Sequence, residues 1–203
     1  MNRYGVIDLG TNTFHLLIVD VNEKGKSTEL FRERIFVKLA EDGIGKIGER
    51  AYLRGLQALS HFQKILLEHQ VKNINAFGTA ALRTASNGLD FIKAARAESG
   101  ISIHLIPGVE EARLIHLGVT QAVELGEEKG LIMDIGGGSV EFIIADKNEV
   151  FWAESFPIGV AVLYNNFHQE EPISIKEIDV LLNHLEQILH PLLEVLKNHQ
   201  PTC

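Results

Sequence analysis

The 203-residue chain holds one cysteine, Cys203, its last residue. An intrachain disulfide and a cysteine metal centre are therefore excluded, and a reducing cytoplasm is the expected setting. No apolar run approaches the ~20 residues that a membrane-spanning helix needs. The N-terminus passes from Met1-Asn2-Arg3-Tyr4 straight into a strand, without a signal peptide. Low-complexity segments are missing as well. Positive charge is in deficit, with 19 Lys and Arg against 27 Asp and Glu, a formal net charge of −8. That balance argues against broad binding to nucleic acid or to a membrane surface. It also means that an anionic substrate must be met by local features, because the overall field repels it.

What is present suffices for a core. The chain is 45% hydrophobic and 23% charged, which fits one large domain or two small ones. Strands are predicted over 4–10 and 14–21, with a third near 27–38. The segment 40–48, rich in glycine and charge, reads as a mobile surface loop. Residues 49–70 form a helix, with Leu53, Leu56, Leu59, Phe62 and Ile65/Leu66 as its core stripe. A short strand over 74–77 follows. Ser86 or Asn87 caps a helix over about 89–99, which Gly100 ends. A strand over 101–106 is broken by Pro107-Gly108, and a helix runs from Glu110 to about Val123. Further strands cover the Asp134 region and 150–157, and Gly159 initiates a short helical segment. Ser174-x-x-Glu177 is a capping box that opens a long helix, kinked at Pro191. Alternating strands and helices predict an α/β chain with sheets covered by helices. The division into domains is placed at Gly126–Gly130, giving residues 1–126 and 127–203.

The organising stretch is Leu131 to Ile144. Two apolar strands flank Asp134, the glycines Gly136, Gly137 and Gly138, and Ser139. Three glycines free the turn of Cβ atoms, so the backbone can take φ > 0 and bring N–H groups close to a ligand. Converging N–H groups favour an anion, phosphate above all. Asp134 at the strand end suits a divalent cation, since Mg²⁺ commonly takes one or two carboxylates plus phosphate oxygens. The segment Val6–Val19 aligns with Ile132–Ala145 without a gap. Asp8 matches Asp134, Gly10 matches Gly136, Thr13 matches Ser139 and His15 matches Glu141. Two such units in one chain suggest related halves facing a shared phosphate cleft.

Other candidates carry two readings each. Arg83, among small residues, is either a surface arginine or a planar fork for phosphate oxygens. Glu110 and Glu111 either complement a helix dipole or supply a general base for water attack on phosphorus; Arg113 is placed to pair with a helix carboxylate. Glu141, read as outward-facing on its strand, either joins Asp134 at a metal or faces solvent. His15 reads as structural.

Taken together, Val6–Leu17 (VIDLGTNTFHLL), Gly78–Ala85 (GTAALRTA), Pro107–Leu114 (PGVEEARL) and Ile132–Glu141 (IMDIGGGSVE) resemble, in order, the motifs of the exopolyphosphatase/guanosine pentaphosphate phosphohydrolase (Ppx/GppA) family, within the actin, sugar-kinase and heat-shock-chaperone superfamily. The resemblance implies a ribonuclease-H-like (actin-like ATPase) fold in two lobes, each a mixed central sheet flanked by helices. It implies Mg²⁺-assisted hydrolysis of the terminal phosphoanhydride of polyphosphate, or of the 5′ γ-phosphate of guanosine pentaphosphate. By motif, Glu111 is the general base, with Glu110 as the fallback. Asp134 and Asp8 are the metal-linked aspartates. Gly136–Ser139 and the Gly10, Thr11, Asn12, Thr13 turn are the phosphate loops, and Arg83 faces phosphate. A homodimer is a further implication. Family members carry an additional strand after the long helix, so the second lobe here is expected to be incomplete. Two rival functions remain: a non-catalytic module binding polyphosphate or an alarmone, and a small-molecule kinase.

Overall fold

The computed structural model describes residues 2–202; Cys203 lies outside the described residues. The chain divides into two compact units, Met1–Ile106 and Pro107–Cys203. This places the helix that begins at Gly108 with the second unit, whereas the expected division fell after residue 126.

In the first unit, strands β1 (Asn2–Leu9), β2 (Thr13–Val21) and β3 (Ser27–Phe36) form an antiparallel meander. Helix α1 (Glu49–Glu68) then leads to β4 (Asn73–Gly78), which lies parallel to β1. Helices α2 (Ala80–Thr84) and α3 (Gly88–Ser99) lead to β5 (Ile103–Leu105), parallel to β4. The sheet order β3-β2-β1-β4-β5 is the mixed, ribonuclease-H-like arrangement implied by the resemblance. Its core joins Ile7, Leu9 and Phe14 of the sheet to Leu59, Phe62 and Phe91 of the helices.

The α1 stripe holds from Leu56 to Leu66, but Leu53 is 53% exposed. A series of steps of three residues drifts around a helix of 3.6 residues per turn. Nine residues at roughly 100° each put Leu53 on the side opposite Phe62. The 40–48 segment is pinned rather than loose. Asn87 donates to the Ile47 carbonyl and accepts from its N–H, both at 2.9 Å, and Ile47 is buried. That amide is therefore spent on the segment. It makes no side-chain cap at the start of α3, contrary to the expectation for this residue. Gly100 does end α3, in the left-handed conformation at φ 74°.

In the second unit, α4 (Gly108–Ala122) precedes the antiparallel strands β6 (Gly130–Ile135), β7 (Val140–Ala145) and β8 (Val150–Phe156). Helices α5 (Val160–Phe167), α6 (Ile175–Ile188) and α7 (His190–His199) follow. Ala112 and Ile115 of α4 pack on Ile143, Ala145 and Ala153, on one face of the sheet. Leu185 and Ile188 of α6 and Leu192 and Leu196 of α7 pack on Val140, Phe142 and Phe156, on the other. Strand β7 is therefore buried along its whole length.

The capping box forms as expected, with Ser174 and Glu177 bonded reciprocally. At Pro191 the chain does more than kink. Helix α6 ends, Leu189 serves as the cap of both helices, and α7 starts anew with the proline in its first turn, where its missing N–H costs nothing. Among the described residues no helix is long and apolar enough to cross a membrane.

Candidate active site

Strand alternation and a four-residue turn build the same device twice. In the first unit the Gly10 N–H donates to the Thr13 carbonyl at 3.1 Å; in the second the Gly136 N–H donates to the Ser139 carbonyl at 3.0 Å. Asp8 lies opposite His15 across β1 and β2, and Asp134 lies opposite Glu141 across β6 and β7. The gapless repeat seen in the sequence is thus a repeat of strand register and turn closure. Positive φ plays no part in it: the glycines with left-handed φ are Gly25, Gly43 and Gly100. What the turns need is the absence of a Cβ. At Gly10 and at Gly136 that atom would lie 2.9 Å from the carbonyl oxygen that closes the turn.

Each turn is fixed by neighbours that use its carbonyls and spare its amides. The Asn12 carbonyl accepts from the N–H groups of Val37 and Lys38, and the Thr11 carbonyl from Leu39. The Gly136 and Gly137 carbonyls accept from Val160 and Ala161, the first N–H groups of α5. The N–H groups of Thr11, Asn12, Gly137 and Gly138 donate to no group recorded among the described residues. Thr11 and Gly138 are buried, where an unpaired N–H is costly unless a ligand accepts from it. Each turn therefore offers two adjacent amides, suited to an anion.

Two residues that matter here carried no such role in the sequence. Gly159 caps α5 with ordinary φ, yet a Cβ on it would collide with the backbone of Gly137 and Gly138. Only glycine lets α5 sit against the triple-glycine turn. The surrounding Pro157-Ile158-Gly159-Val160 offered a helix start and nothing about that contact. Ser155 is the second. It lies opposite Glu141 in register, and its hydroxyl donates to Glu141 Oε1 at 2.6 Å.

That bond corrects the reading of Glu141. The side chain is not outward-facing; it is 1% exposed, because helices cover both faces of β7. It shares a face with Asp134, since directly opposed residues of paired strands point the same way. His15, its counterpart, bonds Thr13 Oγ1 through Nε2 at 3.0 Å. Burial first, and then Arg34 and Arg32, hold its pKa below the ordinary value. That shift favours the uncharged ring over the protonated one.

In the first unit, the carboxyl ends of the parallel strands carry the remaining candidates, the usual location of ligand-binding loops in such sheets. Thr79, just beyond β4, reaches the Leu9 carbonyl at the end of β1. One turn into α2, Arg83 donates through a terminal nitrogen to the Ile106 carbonyl at 2.7 Å, beyond the end of β5.

In the second unit, Glu110 and Glu111 open α4 but differ in their surroundings. Arg113 grips Glu110 with two bonds of 2.7 and 2.8 Å, the pairing anticipated from the sequence. This holds the Glu110 carboxyl below its usual range. Glu111 lies one turn before Ile115, on the stripe that packs toward the sheet.

Among the described residues no group of three or more His, Cys, Asp and Glu could hold a metal. A complete protein cage is therefore not present. Asp134 is exposed at its strand end, on the face it shares with the buried Glu141, and a single carboxylate can suffice for Mg²⁺ where water and phosphate complete its shell.

Residues 17–202 match the Ppx/GppA phosphatase family model. The chain is 31% identical over 202 residues to Exopolyphosphatase 1 of Mycobacterium tuberculosis, covering 98% of this chain and 59% of that protein. It is 31% identical over 196 residues to the guanosine-5′-triphosphate,3′-diphosphate pyrophosphatase of Vibrio vulnificus, covering 96% of this chain and 39% of that protein. The fold is similar to the crystal structure of an exopolyphosphatase from Cytophaga hutchinsonii, with a TM-score of 0.95 and 42% identity over 99% of this chain and 65% of that one. It is also similar to the Aquifex aeolicus Ppx/GppA family member, with a TM-score of 0.73 and 25% identity over 94% of this chain and 62% of that one. The chain thus spans less than two thirds of the length of these relatives. With its four motifs, its repeated Asp-x-Gly hairpins and this match along nearly all of its length, the chain belongs to the Ppx/GppA phosphatase family.

Proposed function

We propose that the chain hydrolyses the terminal phosphoanhydride of inorganic polyphosphate, with the 5′ γ-phosphate of guanosine pentaphosphate as a related substrate. The observation that carries this reading is the pair of identically closed turns, each presenting two adjacent amides without an acceptor. The names of the relatives, exopolyphosphatase and guanosine-5′-triphosphate,3′-diphosphate pyrophosphatase, supply the substrate class.

In this proposal the amides of Thr11, Asn12, Gly137 and Gly138 bind phosphate oxygens, with the Thr13 and Ser139 hydroxyls as further donors. Arg83 presents its planar fork to the transferred phosphoryl group. Glu111 takes the proton of the attacking water. Glu110 is the poorer base, because a carboxylate held down by an arginine has less tendency to accept a proton. Asp134 and Glu141, with Asp8 as the motif counterpart, would hold Mg²⁺, which when bound neutralises charge on the phosphate oxygens. Phosphoryl transfer depends mainly on positioning and charge stabilisation, so this set of groups is sufficient in kind.

A second reading, a module that binds polyphosphate or an alarmone without turnover, is favoured by the small three-stranded sheet of the second unit. Phosphate release from long-chain polyphosphate, measured with Mg²⁺ and again with a chelator, separates the two. Metal-dependent release supports the hydrolase. Tight binding of polyphosphate without release supports the binding module.

A further inference from the structure

The two turns are braced by different means. In the second unit the brace is the start of α5, where the Val160 and Ala161 N–H groups donate to the Gly136 and Gly137 carbonyls. In the first unit the segment 37–39 takes that place. The N–H groups of Val37 and Lys38 both donate to the Asn12 carbonyl at 2.9 Å, and that of Leu39 donates to the Thr11 carbonyl at 2.7 Å. Two consecutive amides reach one oxygen because Lys38 has φ 50°, a left-handed conformation that a Cβ disfavours. The other non-glycine residues with positive φ among the described ones, Gln70 and Gln200, lie at helix ends. A strained residue away from a helix end persists only where its surroundings hold it.

Arg54 of α1 supplies that hold. Its guanidinium donates twice to the Val37 carbonyl, through Nε at 3.0 Å and Nη2 at 2.8 Å, and Nη2 also pairs with Glu41 Oε2 at 2.7 Å. One planar fork thus ties both ends of the 37–41 stretch to the helix. The next residue, Gly55, lets the helix come this close: a Cβ there would lie 2.7 Å from the Phe91 ring and 3.5 Å from Val37 Cγ1. Val37 and Leu39, on either side of Lys38, are buried. Packing anchors their side chains, but it does not orient the peptide planes between them. The Val37 carbonyl and the Lys38 N–H share one rigid plane, so a clamp on the carbonyl aims the N–H. The same rule applies inside the turn: the Thr11 carbonyl, held by Leu39, shares its plane with the Asn12 N–H.

We propose that Arg54 is a positioning residue for the first turn: by clamping the peptide between Val37 and Lys38 it aims the 37–39 amides at the Asn12 and Thr11 carbonyls, and so sets the direction in which the Asn12 N–H meets an anion. The inference rests on the reading of these turns as phosphate sites. Arg54 touches no phosphate here; it acts through peptide planes. The two turns are then unequal. The second is braced by backbone alone, and the first depends on one replaceable side chain.

Amide NMR of the chain, titrated with inorganic tripolyphosphate, tests this with the second turn as an internal control. In the unsubstituted chain the amides of Thr11, Asn12, Gly137 and Gly138 all shift. Arg54→Ala weakens the response at Thr11 and Asn12 by about tenfold in apparent Kd and leaves that at Gly137 and Gly138 in place. Ethylguanidinium added to Arg54→Ala restores the first turn. Arg54→Lys keeps the charge for Glu41 but has no fork, and it gives the same selective loss, so the test stands even where Arg54→Ala does not fold. An unchanged response at Thr11 and Asn12 in the folded variants overturns the proposal, as does equal loss at both turns. No response at either turn in the unsubstituted chain overturns the phosphate reading, and the proposal with it. None of these readouts requires turnover.

Discussion

Gly159 and Gly137 are packed backbone to backbone: a Cβ at position 159 would overlap the carbonyl group of Gly137. The contact lets the first N–H groups of α5, those of Val160 and Ala161, donate to the carbonyls of Gly136 and Gly137. The N–H groups of Gly137 and Gly138 take no part in these bonds. The phosphate-binding geometry proposed for Gly137 and Gly138 therefore depends on a glycine some twenty residues downstream.

The substitution Gly159→Ala forces α5 away from the turn. Overpacking of this kind costs about 1–3 kcal/mol. A lowered melting temperature is expected, together with weaker polyphosphate binding measured by calorimetry. The first unit is untouched by the change, so the exchange of β1 amides stays as it was.

The bond between Ser155 and Glu141 leads to a second expectation. Glu141 is buried, and Ser155→Ala removes the hydroxyl that serves its Oε1. An unsatisfied buried acceptor costs about 1–3 kcal/mol. Denaturant unfolding of Ser155→Ala should show a loss in that range. Glu141→Gln, whose amide oxygen can still accept from Ser155, should lose less.

The third expectation concerns acid. His15 has a folded-state pKa below the ordinary 6.5 because it is buried and lies near Arg34 and Arg32. Between the two pKa values the unfolded chain binds the proton more readily than the folded one. This contribution therefore lowers stability as pH falls below about 6.5, and levels off once the folded-state histidine also protonates. An NMR titration of the His15 ring checks it: the ring should protonate at lower pH than a histidine in the unfolded chain. A His15→Gln variant should lose less stability on acidification through that window.

Much of this architecture was legible because the signals were local. Both hairpins announced themselves through apolar alternation around an Asp-x-Gly turn, and the Ser174–Glu177 box marked the start of α6. Other features were set by distant partners. Glu141 alternates like an outward residue, but α4 on one side and α6 and α7 on the other leave β7 no outward face. Leu53 fitted a stripe counted in threes and failed because the helix does not repeat at three. Asn87 resembled a cap until Ile47 claimed its amide. The roles of Arg83 and Glu111 came from resemblance, since spacing alone left both with ordinary surface explanations. The close approach at Gly159 left no local trace, because it involves only backbone atoms far apart in the chain.

The central claim is that Glu111, rather than Glu110, activates water for attack on a terminal phosphate. Its most direct test is the rate of phosphate release from long-chain polyphosphate with Mg²⁺ for the chain, for Glu111→Gln and for Glu110→Gln. A lost general base lowers the rate by about 10²–10⁴-fold. The account predicts that loss for Glu111→Gln, with polyphosphate binding retained, and a change of less than about tenfold for Glu110→Gln, which only frees Arg113. Equal rates for the chain and Glu111→Gln, or the large loss falling on Glu110→Gln instead, would contradict it.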